Sequence, residues 1–596
     1  MLPAFDLRAA AGSKGSLLLD PRNIAIVDSN PDINNDNTTG DDLSDSSFNA
    51  TSGSAASTSE ITAGAVVAQL DLANVTLTAS NNITVSTAID ASGNTGLYGL
   101  TLSAGQGITI DADITTLNGL SLTGTLSNGI SLGANVTLNA GAGQLSLGKA
   151  VAANDHSLTL ISTQASATAI QTGGNLSSLD TLTVNGQITL GGNVTSSGTQ
   201  SYTDVVSLTG DRTLNAGAGK IALSSVSGGT HALTLSSTSA AADAISTSGA
   251  ITGVTTLSVQ GKATLGGDVT TTGTQSYTGT LTLTGDTQLA SGAAKVSLAG
   301  VAGGAHALTV VSANAAADAI KTSGSITDVS TLSMQGKTTL GGDVTTTGNQ
   351  TYSGALTLAS TVRLDAGASQ LSLGAVSGAY GLTLVSTSAA ADAIALHGAV
   401  SSLTTLDVQG RATLAASVTT TGKQTYSDTL TLAGDLTLDA GAGRIELAAV
   451  DAASHNLTLA SSNSAADAIS LGSALTNLAD LTVQGKATVS VDVTSAGAQS
   501  YADTLTTSGD RQFQGSSLSF TGLSAGTSNL VLTADQLAVT GTVTGSGAVT
   551  LLPLTGTVIS LAGGAPVASG TLQLSQAVLS EFASFSGLTI GSASQA

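Results

Sequence analysis

Four histidines of this 596-residue chain, His156, His231, His306 and His455, occupy one position of a recurring segment, and Tyr380 takes the same slot in another copy. Imidazole is the commonest metal ligand, so a recurring histidine first suggests a metal. A shared ion needs each ring nitrogen within about 2 Å of it. Successive copies lie about 75 residues apart, and three coils of a stacked fold put them roughly 14 Å apart along its axis. The rings do not meet, and the expected role is a solvated corner before an LTL strand. Asp211, Asp286, Asp435 and Asp510 recur in the same way, as do Asp243, Asp318, Asp392 and Asp467 in the AADAI segments. General acid and base carboxylates work within roughly 5–10 Å of each other, so residues at one template position are too far apart and form a spaced outer ladder. The expectation is therefore no catalytic residue, no cofactor site and no enzyme.

Asp28, Asn30, Asp32 and Asp36 make a calcium candidate in the segment DSNPDINNDNTTGDDLSDSS. The first three match the opening ligand positions of a calcium loop, but Ile33 stands where the sharp turn needs Gly and Thr39 where a bidentate Glu closes the site. Six aspartates between Asp28 and Asp45, without Lys or Arg, read more simply as an acidic loop, and no metal is assigned. Tyr202, Tyr277, Tyr352, Tyr426 and Tyr501 each follow a Gln-Ser/Thr step. They would either stack sugars along an outer stripe or fill a wide corner, and the second is expected. Threonines of the VTTTG motifs are candidates for outward rows.

The repeat itself positions these residues. The segment around Tyr202, QSYTDVVSLTGD, returns four times at steps of 75, 75, 74 and 75 residues. A second marker carries Gln187, Lys262, Lys337, Arg411 and Lys486 at the same spacing. Five copies fill residues 151–524, after simpler coils at 75–150 and before C-terminal coils at 525–596. Within a copy, apolar residues alternate with polar ones over four to six positions, the pattern of a strand with one buried face. Gly, Asn, Asp and Ser separate these strands as corner residues. Doublets such as Leu233/Leu235, Leu257/Val259 and Leu281/Leu283 step by 24, and Val75 to Ile89 matches Leu100 to Ile114 at an offset of 25. Three coils of about 25 residues per copy are therefore expected, stacked in parallel as a β-solenoid with ladders of like aliphatic residues.

Composition agrees. Aromatics are 2% and charged residues 9% of the chain, while 41% is hydrophobic, which suits many thin aliphatic layers and excludes disorder. There is no Cys, so disulfides and thiolate metal sites are excluded. The formal net charge of −22, from 38 acidic and 16 basic residues, excludes nucleic acid and anionic lipid as partners. No apolar run reaches the 18 residues of a membrane-spanning helix. The start, MLPAFDLRAAAGSKG, has no signal-peptide pattern.

The stretch GSLLLDPRNIAIVD, Gly15 to Asp28, resembles a segment of filamentous-haemagglutinin-type exoproteins, the large adhesin passengers of two-partner secretion in Gram-negative bacteria. The coils VTLTASNNITVSTAI and LTLSAGQGITIDADI and the tail SFSGLTIGSASQA are similar to that family too. The resemblance implies a right-handed parallel β-helix, export through an outer-membrane secretion transporter, and adhesion or aggregation through a host-cell or glycan receptor. Residues 1–74 then form a family-like N-terminal segment with an acidic loop at 28–47. The family's secretion domain is not recognisable here, so an internal fragment, or a gene model truncated at both ends, is expected, with the C-terminal coils cut short. The expected function is a secreted or cell-surface structural and adhesive rod.

Two rivals remain at this level. One is a polysaccharide-acting β-helix enzyme, which needs clustered charged residues in a groove, whereas Glu occurs only at Glu60, Glu446 and Glu581. The other is the stalk of a contact-dependent toxin.

Overall fold

The computed structural model describes residues 17–19, 22–28, 58–125, 127–555, 558–561 and 571–591. These residues form parallel strands stacked into a β-solenoid, with about 23 turns of about 21 residues each. The expected fold class is therefore the observed one, although its turn is shorter than the expected 25. The chain divides into two compact units, Met1–Ala299 and Gly300–Ala596.

In the first unit one inward column runs Val75, Leu100, Leu120, Leu145, Ile170, Ile188 and Val206, each residue paired in parallel register with the next. Each of these side chains is buried. Strands of three to five residues suffice because each buries its alternate side chains against equivalents one turn away. The helix Ala63–Leu70 was not expected. Thr62 caps it by accepting from the amide of Ala65 at 3.2 Å, and Ala63, Val66 and Leu70 turn inward. The sequence signal was present as a threonine before apolar residues at helical spacing.

In the second unit three strands make one turn: Val344–Thr346, Gln350–Tyr352 and Leu356–Leu358. The next turn lays Leu364 on Val344, Leu371 on Gln350 and Val376 on Leu356. Gln424–Tyr426 is the eleventh strand after Gln350–Tyr352. One copy of the repeat is thus three and two-thirds turns, where three were expected. The doublets that suggested 24-residue steps belong to different faces. Leu233 does stack on Leu257, but Leu257 stacks on Gln275, and Leu281 stacks on Ala263.

The fractional turn moves each copy round by one face. Tyr426 lies in the column of Val344, through Leu364, Leu384 and Val408. Tyr501 lies in the column of Leu356, through Val376, Val400, Val418, Leu438, Leu459 and Val483. Tyr352, Tyr426 and Tyr501 therefore stand on three different faces. In this unit, equivalent residues form no single outer ladder; they sit roughly 18 Å apart along the stack, each one face round from the last.

Candidate functional site

The recurring tyrosines point inward. Tyr352, Tyr426 and Tyr501 are at most 2% exposed, which excludes an outer sugar-stacking stripe. Each hydroxyl donates to the Oε1 of the glutamine two residues before it, at 3.2, 3.1 and 3.0 Å. Burial pushes the pKa of all five phenols, Tyr202, Tyr277, Tyr352, Tyr426 and Tyr501, far up.

The glutamines, wholly buried themselves, carry the rest of the network. Nε2 of Gln350, Gln424 and Gln499 donates to a backbone carbonyl one turn on, at Asp365, Asp439 and Gln514. Gln200 and Gln275 bond Asn215 and Ala290 in the same way. The third residue of the VTT motif is buried as well: Thr271, Thr346 and Thr420 donate to the carbonyl of the glycine two residues on. The middle threonines, Thr270, Thr345 and Thr419, and the last ones, Thr272, Thr347 and Thr421, are exposed. Buried polar groups must be satisfied, and Ser/Thr, Gln and Tyr satisfy one another here. These glutamines were overlooked because a polar side chain at an inward position breaks the apolar alternation that marks a strand.

The remaining markers join one turn to another. Lys220 pairs with Asp243 at 2.8 Å and Arg444 with Asp467 at 2.9 Å, while Gln370 donates to Asp392 at 2.6 Å. Asp318 is partnered also. From the other side, Lys262, Lys337, Arg411 and Lys486 donate to carbonyls of the same corner loops, at Ala240, Ala315, Ala389 and Ser464. These loops are corners, as expected.

Asp211, Asp435 and Asp510 accept the amides of Ala232, Asn456 and Asn529 about one turn on, at 2.9, 2.9 and 2.7 Å, and Asp286 is partnered too. The Asn456 amide, the Asn456 side chain and then His455 hold Asp435 below its ordinary pKa. The amide and then the side chain of Asn529 do the same for Asp510.

Each of the four recurring histidines follows a corner in the left-handed region: Asn154 and Asp155 precede His156, Thr230 precedes His231, Ala305 precedes His306, and Ser454 precedes His455. His455 Nδ1 lies 3.6 Å from Asp435. Tyr380, in the equivalent slot, is exposed. Among the described residues no three His, Asp or Glu stand close enough to hold a metal. Of the calcium candidate, Asp28 is exposed just after the strand Asn23–Val27, and Asn30, Asp32 and Asp36 lie outside the described residues. No helix among the described residues is long and apolar enough to cross a membrane.

One outer cluster departs from the template. Asp407, Lys423 and Glu446 stand where the third copy has Ser333, Asn349 and Ser372. Asp407 and Glu446 flank Thr425 on three successive turns in one outward column. Lys423 bonds Glu446 at 2.8 Å. Gln409 Nε2 donates to Asp407 at 2.7 Å, and Asp407 has no ion-pair partner among the described residues. The signal was legible as a departure from the repeat, but these residues meet only when the register of the turns is known.

No family profile and no curated protein matches the chain.

Proposed function

We propose that this chain is the adhesive solenoid of a secreted or cell-surface exoprotein of a Gram-negative bacterium, acting in adhesion or aggregation. One observation carries the reading: the recurring chemistry-bearing residues hold turn to turn, so the repeated product of the sequence is surface. The likeness of Gly15 to Asp28 and of the coils after Val75 to filamentous-haemagglutinin-type exoproteins supports it. An outer-membrane transporter is the export partner that this reading requires. The acidic balance favours neutral or cationic receptors over polyanions.

The test is adhesion of beads coated with the purified chain to cultured epithelial cells and to one another. Binding or clumping well above albumin-coated beads is expected; retention equal to albumin in both assays overturns the reading.

A further inference from the structure

The outward column of the fourth copy joins polar groups that no other copy assembles. Asp407, Thr425 and Glu446 stack in register, which puts the two carboxylates roughly 10 Å apart with a hydroxyl between them. Lys423 and Gln409 reach in from either side and bond Glu446 and Asp407. Thr405 and Ser427 complete an open groove of about 390 Å³. We propose that this groove is a subsite for a neutral saccharide, a reading that takes its ligand source from the adhesive function above.

The chemistry selects that class. The groove offers an acceptor at Asp407, donors at Gln409 and at Lys423, which Glu446 holds, and hydroxyls at Thr405, Thr425 and Ser427. A polyhydroxyl ligand replaces water at each of these without bringing a charge of its own. An anionic ligand would meet two carboxylates against one ammonium, on a chain of net charge −22. A chelated cation needs six or more converging oxygens for calcium, or a tight octahedron for magnesium, and two carboxylates roughly 10 Å apart supply neither. Among the described residues Asp407 is bonded by Gln409 and has no ion-pair partner, which leaves lone pairs open to sugar hydroxyls.

The template departures supply an internal control, since the third copy has the same strand stack with Ser333, Thr351 and Ser372 in the matching column. The experiment presents the full chain to a printed panel of neutral, sialylated and sulfated oligosaccharides. It is compared with the variant Asp407→Ser/Lys423→Asn/Glu446→Ser, which restores the third copy's residues. Native chain is expected to retain neutral oligosaccharides, and the variant at least tenfold less, with an unchanged circular dichroism spectrum. Should the triple variant misfold, Asp407→Asn alone is expected to weaken binding at least fivefold. Equal binding by folded variants, retention only of charged glycans, or no saccharide retained overturns the proposal. Beads separate it from the adhesive reading. If the variant retains the panel as well as the native chain while beads of both adhere, the groove fails and adhesion stands. If native beads do not adhere while the panel binds, adhesion fails and the groove stands.

Discussion

Thr346, Gln350 and Tyr352 in the third copy make the same buried network as Thr420, Gln424 and Tyr426 in the fourth. Outside, Ser333, Asn349 and Ser372 in the one are replaced by Asp407, Lys423 and Glu446 in the other. The pleat separates the two sets, because alternate residues of a strand face opposite sides. Inward positions are fixed by the side chains stacked above and below them. Outward positions meet water and are free to diverge, so a local site can be written on the surface without disturbing the core.

The largest effect should come from emptying the shared interior. Tyr426→Ala and Tyr352→Ala are each expected to cost about 3–5 kcal/mol, the range for large buried side chains. A solenoid opens locally, so the measurement is amide exchange at the stacked strands, Val408 and Leu447 for Tyr426. A cost in one copy and none in the other would break the equivalence. Gln424→Leu leaves the Tyr426 hydroxyl and the Asp439 carbonyl short of a partner, and about 1–3 kcal/mol of local stability is expected to be lost. Gln350→Leu should match it.

The third step tests an interior difference between the copies. Thr322, 1% exposed, has no partner for its hydroxyl, whereas the fourth copy holds Leu396 in that slot. Thr322→Val should stabilise the third copy by about 1 kcal/mol, read by the same exchange measurement. The outer substitution Asp407→Ser/Lys423→Asn/Glu446→Ser should shift stability by no more than about 0.5 kcal/mol. A larger shift in thermal unfolding would show that the outer set belongs to the fold.

The smallest effect is a pH dependence. Asp435 titrates below its ordinary value of 3.8 because the folded state bonds its carboxylate, first through the Asn456 amide. Its stabilising contribution is complete above the unfolded pKa and is lost as pH falls through the lowered folded one. Exchange at Asn456, corrected for intrinsic rate, should therefore rise below about pH 3.8. The third copy has Thr361 at that corner, so Gly381 should show no such step.

The parallel solenoid, its 75-residue period and the corner loops were legible because aliphatic alternation and glycine corners are local signals. Turn length was not. Gln275 occupies an inward position on the strand that covers Leu257, and a buried glutamine reads as a loop residue, so the eye passes on to Leu281. Missing two strands per copy in this way turns eleven strands into nine, and three and two-thirds turns into three. The candidate site was lost for the same reason: Asp407, Thr425 and Glu446 are neighbours only in the true register. The single-strand hydroxyl and amide positions were readable as residues, but not their facing.

In the second unit, the spacing of eleven strands per copy on a three-faced stack has a genetic consequence. Tandem copies this similar are prone to unequal recombination, which adds or deletes whole copies. Each such event keeps the ladders continuous and so leaves folding intact, yet it turns every later residue by one face. An extra copy inserted in the second unit ahead of Asp407 would turn the Asp407, Thr425 and Glu446 column as a block to another side. Only changes of three copies restore the original facing. Copy number would then act as a dial on presentation, with variants that fold equally well but display their surfaces in different directions.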